Sequence, residues 1–276
     1  MFNNHPMVAA LAAVYRATRE GIPPEGLDEA DPAFLAEVEP LLEFLWTKYF
    51  RVDLRGLEHV PATGPALLVA NHSGGLPYDG MLLMYGMRRN HPQHRVLRAL
   101  VATFAFRSRV SAPVVTRYGC VRASMENGAR LLGRGELVAA FPEGLRGVGK
   151  LYRERYRLTR FGRGGFVRLA AESGVPILPV AVIGAEEIHP VIGKIHSLAR
   201  PLGLPYIPVT PTFPFLGPLG LLPLPTKWTI EIGAPIMPPA SDAGEKSVLE
   251  VAETVRDRID AMISRLVLAR RSIFRG

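Results

Sequence analysis

The stretch PALLVANHSGGLPYDG, residues 65–80, decides the fold that we expect for this chain. Its first half is a short apolar run, typical of a buried strand, and its second half is a glycine-rich loop that carries His72 and Asp79. In open α/β sheets, functional side chains lie beyond the carboxyl ends of the strands. The stretch therefore predicts a sheet with a site at the edge where this strand ends.

The same succession of strand, loop and helix recurs along the chain. The candidate strands are PALLVAN, VLRALVA, VVTRYGCVRA, ELVAAFPE, PILPVAVIG and KWTIEIGAPI. Helical patterns lie between several of them, at 78–89, 124–133 and 162–173, and SVLEVAETVRDRIDAMISRLVLARR predicts a C-terminal helix. Short apolar strands alternating with amphipathic helices predict an α/β fold, a single domain with a largely parallel central sheet flanked by helices.

Two further helices, at 6–20 and 33–50, precede this pattern. We predict an N-terminal helical segment over residues 1–50, a candidate for membrane association, and an α/β domain over residues 51–276. The second helix carries apolar side chains around much of its circumference, which suits either burial in the core or an interfacial position with Trp46, Tyr49 and Phe50 in the headgroup region. Burial is the interpretation that we favour.

The composition of the chain indicates the size of its core, its cellular compartment and the class of partner that it binds. With 276 residues and 48% apolar content, the chain can bury a substantial core. A single cysteine, Cys120, excludes a disulfide framework within one chain and suits a reducing cytoplasm, and the start of the chain lacks the features of a secretory signal. The net charge of +8 favours anionic partners: nucleic acid, acidic lipid headgroups or phosphorylated substrates.

One uncharged segment, residues 201–225, is long enough to span a membrane. Proline recurs every few residues in it, and an interior proline costs a helix about 3 kcal/mol. We therefore expect an irregular apolar loop, which either packs on the core or touches lipid or an acyl chain.

His72 and Asp79 suggest a general base with an orienting carboxylate, because a neutral imidazole can take a proton from a hydroxyl while the carboxylate fixes its tautomer. A histidine that caps a helix or faces solvent is the alternative. No second histidine lies nearby at metal-ligand spacing, so we expect no metal site. Ser73 directly follows His72 and is a poor nucleophile for that base, since neighbouring side chains usually point apart.

The stretch FPEGLRGVGK, residues 141–150, matches the spacing of a phosphate-binding P-loop, but Leu151 stands where Ser or Thr would bind Mg²⁺. A strongly basic tract from Arg146 to Arg168 overlaps the end of this stretch, and it suits a phosphorylated molecule, a lipid headgroup or simple solvation. Its basic residues are Arg146, Lys150, Arg153, Arg155, Arg157, Arg160, Arg163 and Arg168. We expect no nucleic acid partner, because no recognisable nucleic-acid-binding signature accompanies the tract.

Taken together, NHSGGLPYDG, GCVRAS, FPEGLRG and VPILPVAVIGAEE resemble, in this order, the four motif blocks of the glycerolipid acyltransferases. These enzymes acylate glycerol-3-phosphate and lysophosphatidic acid. The resemblance runs from about residue 60 to residue 236, and FPEG followed by a basic residue is its most distinctive part.

The resemblance implies roles for individual residues. His72 would be the base that deprotonates the acceptor hydroxyl, and Asp79 would orient it. Arg122 and Arg146 would hold the acceptor phosphate, with Lys150 beside them. Glu143 and Gly144 would shape the acceptor site.

The sequence departs from the family pattern at two places. Six residues separate His72 from Asp79, where the common pattern has four, and the extra glycines would let the loop bulge. Leu-Arg-Gly follows FPEG in place of Thr-Arg-Ser, which keeps Arg146 but loses the hydroxyls. The SGGLPYDG variant also resembles a branch near the monoacylglycerol and diacylglycerol acyltransferases.

The resemblance implies an acyltransferase of phospholipid biosynthesis that uses acyl-CoA or acyl-ACP as co-substrate and no bound cofactor. We expect a cytoplasmic protein in peripheral contact with the inner face of the cell membrane. The alternatives are an acyltransferase for a neutral glyceride, a thioesterase that uses the same base on water, and a non-catalytic protein that binds anionic lipid.

Overall fold

The centre of the fold is a seven-stranded sheet, seen in a computed structural model that describes residues 5–20, 29–72, 78–197, 199 and 206–275. Its strands are β1 (Asp53–Arg55), β2 (Ala66–Ala70), β3 (Leu97–Val101), β4 (Val121–Arg122), β5 (Leu137–Ala140), β6 (Ile177–Ile183) and β9 (Thr229–Ile232), and a separate hairpin contains β7 (Gly193–Ile195) and β8 (Ile207–Val209). The strand order in the sheet is β1-β9-β6-β2-β5-β3-β4.

Five neighbouring strands of this sheet, β6, β2, β5, β3 and β4, are parallel. β9 pairs antiparallel with β6, and β1 runs parallel to β9 at the far edge. The predicted largely parallel sheet is therefore confirmed. Because the parallel strands all end at one edge, the loops that follow them meet there.

The helices in the described part of the chain cover both faces of the sheet. They are α1 (Pro6–Glu20), α2 (Pro32–Phe44), α3 (Tyr78–Asn90), α4 (Ser111–Arg117), α5 (Met125–Gly133), α6 (Leu145–Val148), α7 (Gly165–Ser173) and α8 (Glu245–Ala269). Local sequence sets several of their starts. Asp31 caps α2 by accepting hydrogen bonds from the backbone N–H groups of Ala33 and Phe34, and Ser124 caps α5 in the same way.

The alternation of side chains along β2 divides the core into two layers. Ala66, Leu68 and Ala70 pack with α2 and α3 on one face, whereas Leu67 and Val69 pack with α5, α7 and α8 on the other. All five residues are buried, which explains why the strand reads as an unbroken apolar run. The architecture is thus helix, sheet, helix.

The predicted N-terminal helical pair is present, and its second helix continues as one wide turn over Leu45–Tyr49. Trp46 and Phe50 are buried in the same core layer as the sheet, with the Phe50 ring 4.8 Å from the Trp228 ring between centroids. These two side chains therefore form core contacts, as we favoured. The domain boundary that we place at residue 50 stays a prediction.

The candidate strand VVTRYGCVRA is largely wrong. Its first part forms α4, and only Val121 and Arg122 form a strand. Tertiary packing overrides the β-propensity of the two valines, because α4 lies against α1 at the edge of the sheet. Gly119, with φ of 91°, then turns the chain into β4.

The proline-rich segment 201–225 lies outside the described residues as far as residue 205. From residue 206 it forms β8, which pairs with β7, and an irregular stretch with one 3₁₀ turn at Gly217–Leu221. Among the described residues, no helix has the length and apolar character needed to cross a membrane.

We predict that Trp46→Ala destabilises the protein by about 3 to 5 kcal/mol, because it empties a filled site between α3 and the segment after α2. The fit is tight: a Cβ atom on Gly86 of α3 would lie 2.3 Å from the Trp46 ring. Urea unfolding measures the effect, with Tyr15→Ala on the exposed face of α1 as control. Equal losses in the two variants would contradict the packing role of Trp46.

Candidate active site

The carboxyl ends of β2 and β5 form the floor of the candidate site. His72 follows β2 by two residues, and the segment 141–144 follows β5 directly. β2 and β5 are adjacent in the sheet, so these two loops lie side by side. The sequence-predicted meeting of these strand ends is therefore what the fold produces.

His72 and Asp79 form a hydrogen-bonded pair. The His72 Nδ1 atom lies 2.8 Å from Asp79 Oδ2, and the Asp79 side chain is completely buried in the first turn of α3. The other carboxylate oxygen accepts the backbone N–H of Gly80 at 2.8 Å. Since a carboxylate accepts, the proton of the neutral imidazole lies on Nδ1, and Nε2 keeps a lone pair for an external proton.

The unusual spacing of this pair does not separate the two side chains. Residues 73–77 between them, including Ser73, lie outside the described residues, yet both ends of the loop are held at hydrogen-bond distance. The His72 ring also packs against the Phe141 ring, with 4.7 Å between centroids. One side of the imidazole is thus covered while its side chain remains 15% exposed.

The buried carboxylate of Glu143 supports His72 from behind. One oxygen accepts the backbone N–H of His72 at 3.0 Å, and the other accepts both the N–H and the hydroxyl of Thr159, at 2.8 and 3.0 Å. Glu143 therefore fixes the backbone that carries the histidine. It shapes the site from below and leaves no free oxygen aimed at a ligand.

α6 approaches the same backbone closely because it has a glycine at the contact. A Cβ atom on Gly147 would lie 2.7 Å from the Cβ atom of Glu143 and 3.0 Å from the backbone oxygen of His72. Any side chain at this position would displace α6 or the histidine. Gly144, with φ of 54°, makes the turn that leads into α6, and its N–H donates to Phe141 O.

Lys150 lies behind the site rather than in the open. Its ammonium is 2.9 Å from Glu143 Oε2 and 3.3 Å from Glu186 Oε1, and all three side chains are at most 6% exposed. Contact with a substrate phosphate, the role that the resemblance implied, would require the ammonium to leave both carboxylates. The P-loop alternative fails on the same contact, because its lysine must reach a nucleotide phosphate.

Glu186 is the second carboxylate of this cluster. It also accepts the backbone N–H of Tyr156 at 2.9 Å. Burial raises the pKa of Glu186 from 4.5 to about 7, while Lys150 and the Tyr156 N–H oppose the rise and Glu143 adds to it. Two carboxylates share one ammonium here, so a proton retained on Glu186 near neutrality removes the surplus charge.

A groove opens beside Phe141 on the side of β3 and α5. The space in it that the centre of a water molecule can occupy is about 290 Å³. Its walls are mostly apolar, with Ser124 and Arg163 as the polar exceptions. The lining residues are Leu100, Ala123, Ser124, Met125, Ala140, Phe141, Pro142, Phe161, Gly162, Arg163, Gly165, Phe166 and Leu169. A molecule with an apolar chain and an anionic group matches this lining.

The predicted phosphate-binding arginines lie at the same edge. Arg122 ends β4, three strands from β2 and so about 14 Å away across the sheet. Its guanidinium lies over the Phe106 ring, 5.8 Å from the centroid. Arg146 is exposed on α6, next to Gly147. Within the described residues, neither Arg146 nor Arg163 of the groove has a carboxylate partner.

Sequence reasoning missed three contributors to this arrangement. Thr159 and Glu186 were not singled out, although Glu186 is the next-to-last residue of the fourth motif block. Arg163 was named only as one residue of the basic tract. The sequence does contain a signal for Arg163, because a glycine flanks it on each side. In the structure Gly162 and Gly164 both have positive φ, and Arg163 lines the groove.

We predict that the stability of the wild-type protein falls between pH about 4.5 and about 7 relative to Glu186→Gln, by about 3 kcal/mol in the free energy of unfolding. The folded state binds the Glu186 proton more tightly than the unfolded state does, so this contribution is complete below the unfolded pKa and is lost as pH rises through the folded pKa. Glutamine does not titrate.

Urea unfolding of both proteins at several pH values across this window measures the difference. Glu250→Gln, at an exposed position on α8, controls for the loss of a carboxylate. Parallel stability curves for the wild type and Glu186→Gln would show that Glu186 does not hold a proton in the folded protein.

Comparison with known sequences places this geometry in a family. The model of the Acyltransferase family matches residues 51–183. An uncharacterised Mycobacterium tuberculosis protein, Rv0502, is 44% identical over 277 residues, which cover 98% of this chain and 77% of that protein. A Bos taurus protein named DGAT1/2-independent enzyme synthesizing storage lipids is 24% identical over 224 residues, 80% of this chain and 60% of its own.

A Brassica napus protein, the chloroplastic 1-acyl-sn-glycerol-3-phosphate acyltransferase BAT2, is 26% identical over 148 residues, 51% of this chain and 40% of its own. The fold also matches a crystal structure, that of the 1-acyl-sn-glycerophosphate acyltransferase PlsC from Thermotoga maritima. The TM-score is 0.54 at 17% identity, and the match covers 98% of this chain and 100% of that one. The four motif blocks, the family model and this shared architecture agree, and the chain belongs to the glycerolipid acyltransferase family.

Proposed function

We propose that this acyltransferase moves a fatty acyl group from acyl-CoA or acyl-ACP to a hydroxyl of lysophosphatidic acid or glycerol-3-phosphate, as a step of phospholipid biosynthesis. The observation that carries the proposal is the His72–Asp79 pair, 2.8 Å apart beside a groove with apolar walls and an arginine. The pair supplies a base, and the groove suits a substrate with an apolar chain and an anionic group.

The reaction proceeds in one displacement. His72 Nε2 takes the proton of the acceptor hydroxyl while the oxygen attacks the thioester carbonyl carbon. The C–O bond forms, the C–S bond breaks, and the proton passes from the imidazole to the departing thiolate. Asp79 keeps Nδ1 protonated and stabilises the imidazolium between these two transfers. The reaction balances without a further cofactor, and no acyl-enzyme is part of it.

The phosphate of the acceptor is the ligand that we assign to the arginines at the strand ends. Guanidinium groups bind phosphate through paired hydrogen bonds. Arg163 lines the groove, Arg146 is exposed on α6 and Arg122 ends β4 at the same edge of the sheet, and two of the three, Arg146 and Arg163, lack a carboxylate partner among the residues described. We therefore include Arg163 among the proposed phosphate ligands, and we assign Lys150 to the support of Glu143 instead.

A neutral glyceride is the second candidate acceptor. The relative from Bos taurus is named for the synthesis of storage lipids, and the SGGLPYDG variant points to the same branch. Only the phosphorylated acceptor carries a phosphate for the arginines to bind, so variants of these arginines distinguish the two acceptors. A thioesterase and a non-catalytic lipid-binding protein remain as outcomes of the assay below.

We propose peripheral contact with the inner face of the cell membrane, where a lipid acceptor and product would lie. Nucleic acid is not among the partners that we propose for the basic tract. Its groove-lining arginine, Arg163, lies among apolar walls, and this suits an amphiphile better than a polyanion.

We predict that His72→Ala lowers kcat by about 10²- to 10⁴-fold with the fold retained, because the acceptor hydroxyl loses its base. Asp79→Asn should also lower kcat, since the imidazole loses the carboxylate that orients it. Free thiol released from palmitoyl-CoA or palmitoyl-ACP measures turnover, with lysophosphatidic acid, glycerol-3-phosphate, monoacylglycerol or no acceptor. His196→Ala, at an exposed histidine, is the control.

Each outcome of this assay has a clear meaning. Thiol release that needs both His72 and a phosphorylated acceptor supports the proposal. Release without an acceptor indicates a thioesterase. A folded His72→Ala protein with near-normal turnover contradicts the mechanism, and no release from either donor favours the lipid-binding alternative.

We predict that Arg122→Ala, Arg146→Ala and Arg163→Ala each raise the KM for lysophosphatidic acid about tenfold, since each removes a charged hydrogen-bond donor to the phosphate. The KM for the acyl donor and for monoacylglycerol should change much less. Arg258→Ala, at an exposed arginine on α8, is the matched control. Unchanged KM values for lysophosphatidic acid in all three variants would favour the neutral acceptor.

A further inference from the structure

A second surface of this protein has no place in the chemistry described so far. Residues 206–226 contain no charged side chain. Within them, four large apolar side chains, Phe215, Leu216, Leu219 and Leu222, are between 58% and 83% exposed. We call residues 213–222 the apolar tip. Exposed apolar residues scattered singly are ordinary, whereas four within eight positions form a patch.

The backbone of the apolar tip is shaped by its own hydrogen bonds. Leu216 N–H donates to Thr212 O, and Gly217 N–H donates to Pro214 O, both at 2.8 Å. The Thr212 hydroxyl donates to Gly220 O at 3.1 Å. A Cβ atom on Gly220 would lie 2.5 Å from Thr212 O, so the turn closes only around a glycine. The fold thus holds these apolar side chains outward on a backbone that makes several internal hydrogen bonds.

The apolar tip contacts His189, which lies beside the helix that carries Asp79. His189 is buried and donates from Nε2 to Leu221 O at 2.8 Å. The His189 ring is 6.3 Å from the Tyr78 ring between centroids, and Tyr78 directly precedes Asp79 at the start of α3. The tip is therefore connected through His189 to the start of α3, the helix that holds Asp79.

We propose that the apolar tip inserts into the headgroup region of an anionic lipid bilayer and places the site at the membrane surface. Internal backbone hydrogen bonds and the absence of charge favour such insertion. Lys194, exposed on β7 beside β8, adds a cation at the base of the tip, and the net charge of +8 favours anionic lipid over a neutral bilayer. The choice of lipid as occupant rests on the proposed function, whose acceptor is a lipid.

Another exposed apolar face competes with this one. Val8, Leu11 and Tyr15 lie on the outer side of α1. Charge lies beside them, since Arg16 and Glu37 form an ion pair between α1 and α2, and α1 packs mainly against α2 and α4. The apolar tip carries no charge and contacts His189 beside the start of α3, so the observations favour it.

Co-sedimentation with phosphatidylcholine vesicles, with and without phosphatidylglycerol, tests the proposal. We expect the wild type to bind the anionic vesicles and Leu219→Asp to bind them about tenfold more weakly, because a charge replaces an exposed leucine that would lie in the bilayer. Leu11→Asp on α1 and Met237→Asp should bind as the wild type does. Met237 is an exposed control at the opposite edge of the sheet, where Ile236 pairs with the start of β6.

Three results would overturn the proposal: no vesicle binding by the wild type, normal binding by Leu219→Asp, or loss of binding in Leu11→Asp with Leu219→Asp unaffected. Sedimentation without vesicles adds a fourth, since a change of oligomeric state in Leu219→Asp would identify a second copy of the chain as the occupant.

Thiol release with the water-soluble acceptor glycerol-3-phosphate, measured without vesicles, separates this proposal from the proposed function. Leu219→Asp should keep wild-type turnover there, while His72→Ala loses it. Loss of turnover in Leu219→Asp would show that the tip supports the site itself and would contradict a docking role. A wild type that binds vesicles but releases no thiol would leave the docking proposal standing and overturn the proposed function.

Discussion

The hydrogen bonds to the buried carboxylate of Glu143 hold together the parts of the candidate site. They join the backbone after β2, the basic segment that begins at α6, and Thr159 before α7. A carboxylate without these donors would be costly in this position, since both of its oxygens are removed from water. The site is thus built around a polar group that does not face the substrate, and the position of His72 depends on it.

Lys150 and Glu186 extend this support to the turn after β6, so the segments that follow β2, β5 and β6 contribute to one buried polar cluster. Such clusters stabilise only when each member is satisfied. Here the lysine contacts two carboxylates, and backbone N–H groups and the Thr159 hydroxyl supply the remaining donors. The fourth motif block therefore contributes more than a core strand, because its Glu186 completes the cluster.

The parallel sheet, the edge that carries the site and the His72–Asp79 pair were all accessible from sequence, because apolar strand runs and polar strand ends are local patterns. The position of Lys150 was not accessible, since tertiary folding brings its neighbours Glu143 and Glu186 to it. Sequence alone cannot distinguish a buried cation from one that binds a phosphate. The strand predicted at the α4 segment was wrong for a related reason. Val114 and Val115 favour a strand locally, but the segment forms a helix that packs against α1.

The glycine at position 147 has a consequence for the geometry of catalysis. Because α6 rests directly on the backbone of His72, with no side chain at residue 147 between them, the main chain of Arg146 is positioned by contact with the histidine backbone. On the proposed function, this contact limits the range of distances between a phosphate on Arg146 and the proton acceptor. The two hydroxyls of a glycerol backbone differ by one carbon in their separation from the phosphate, so a limited range of this kind would favour transfer to one of them.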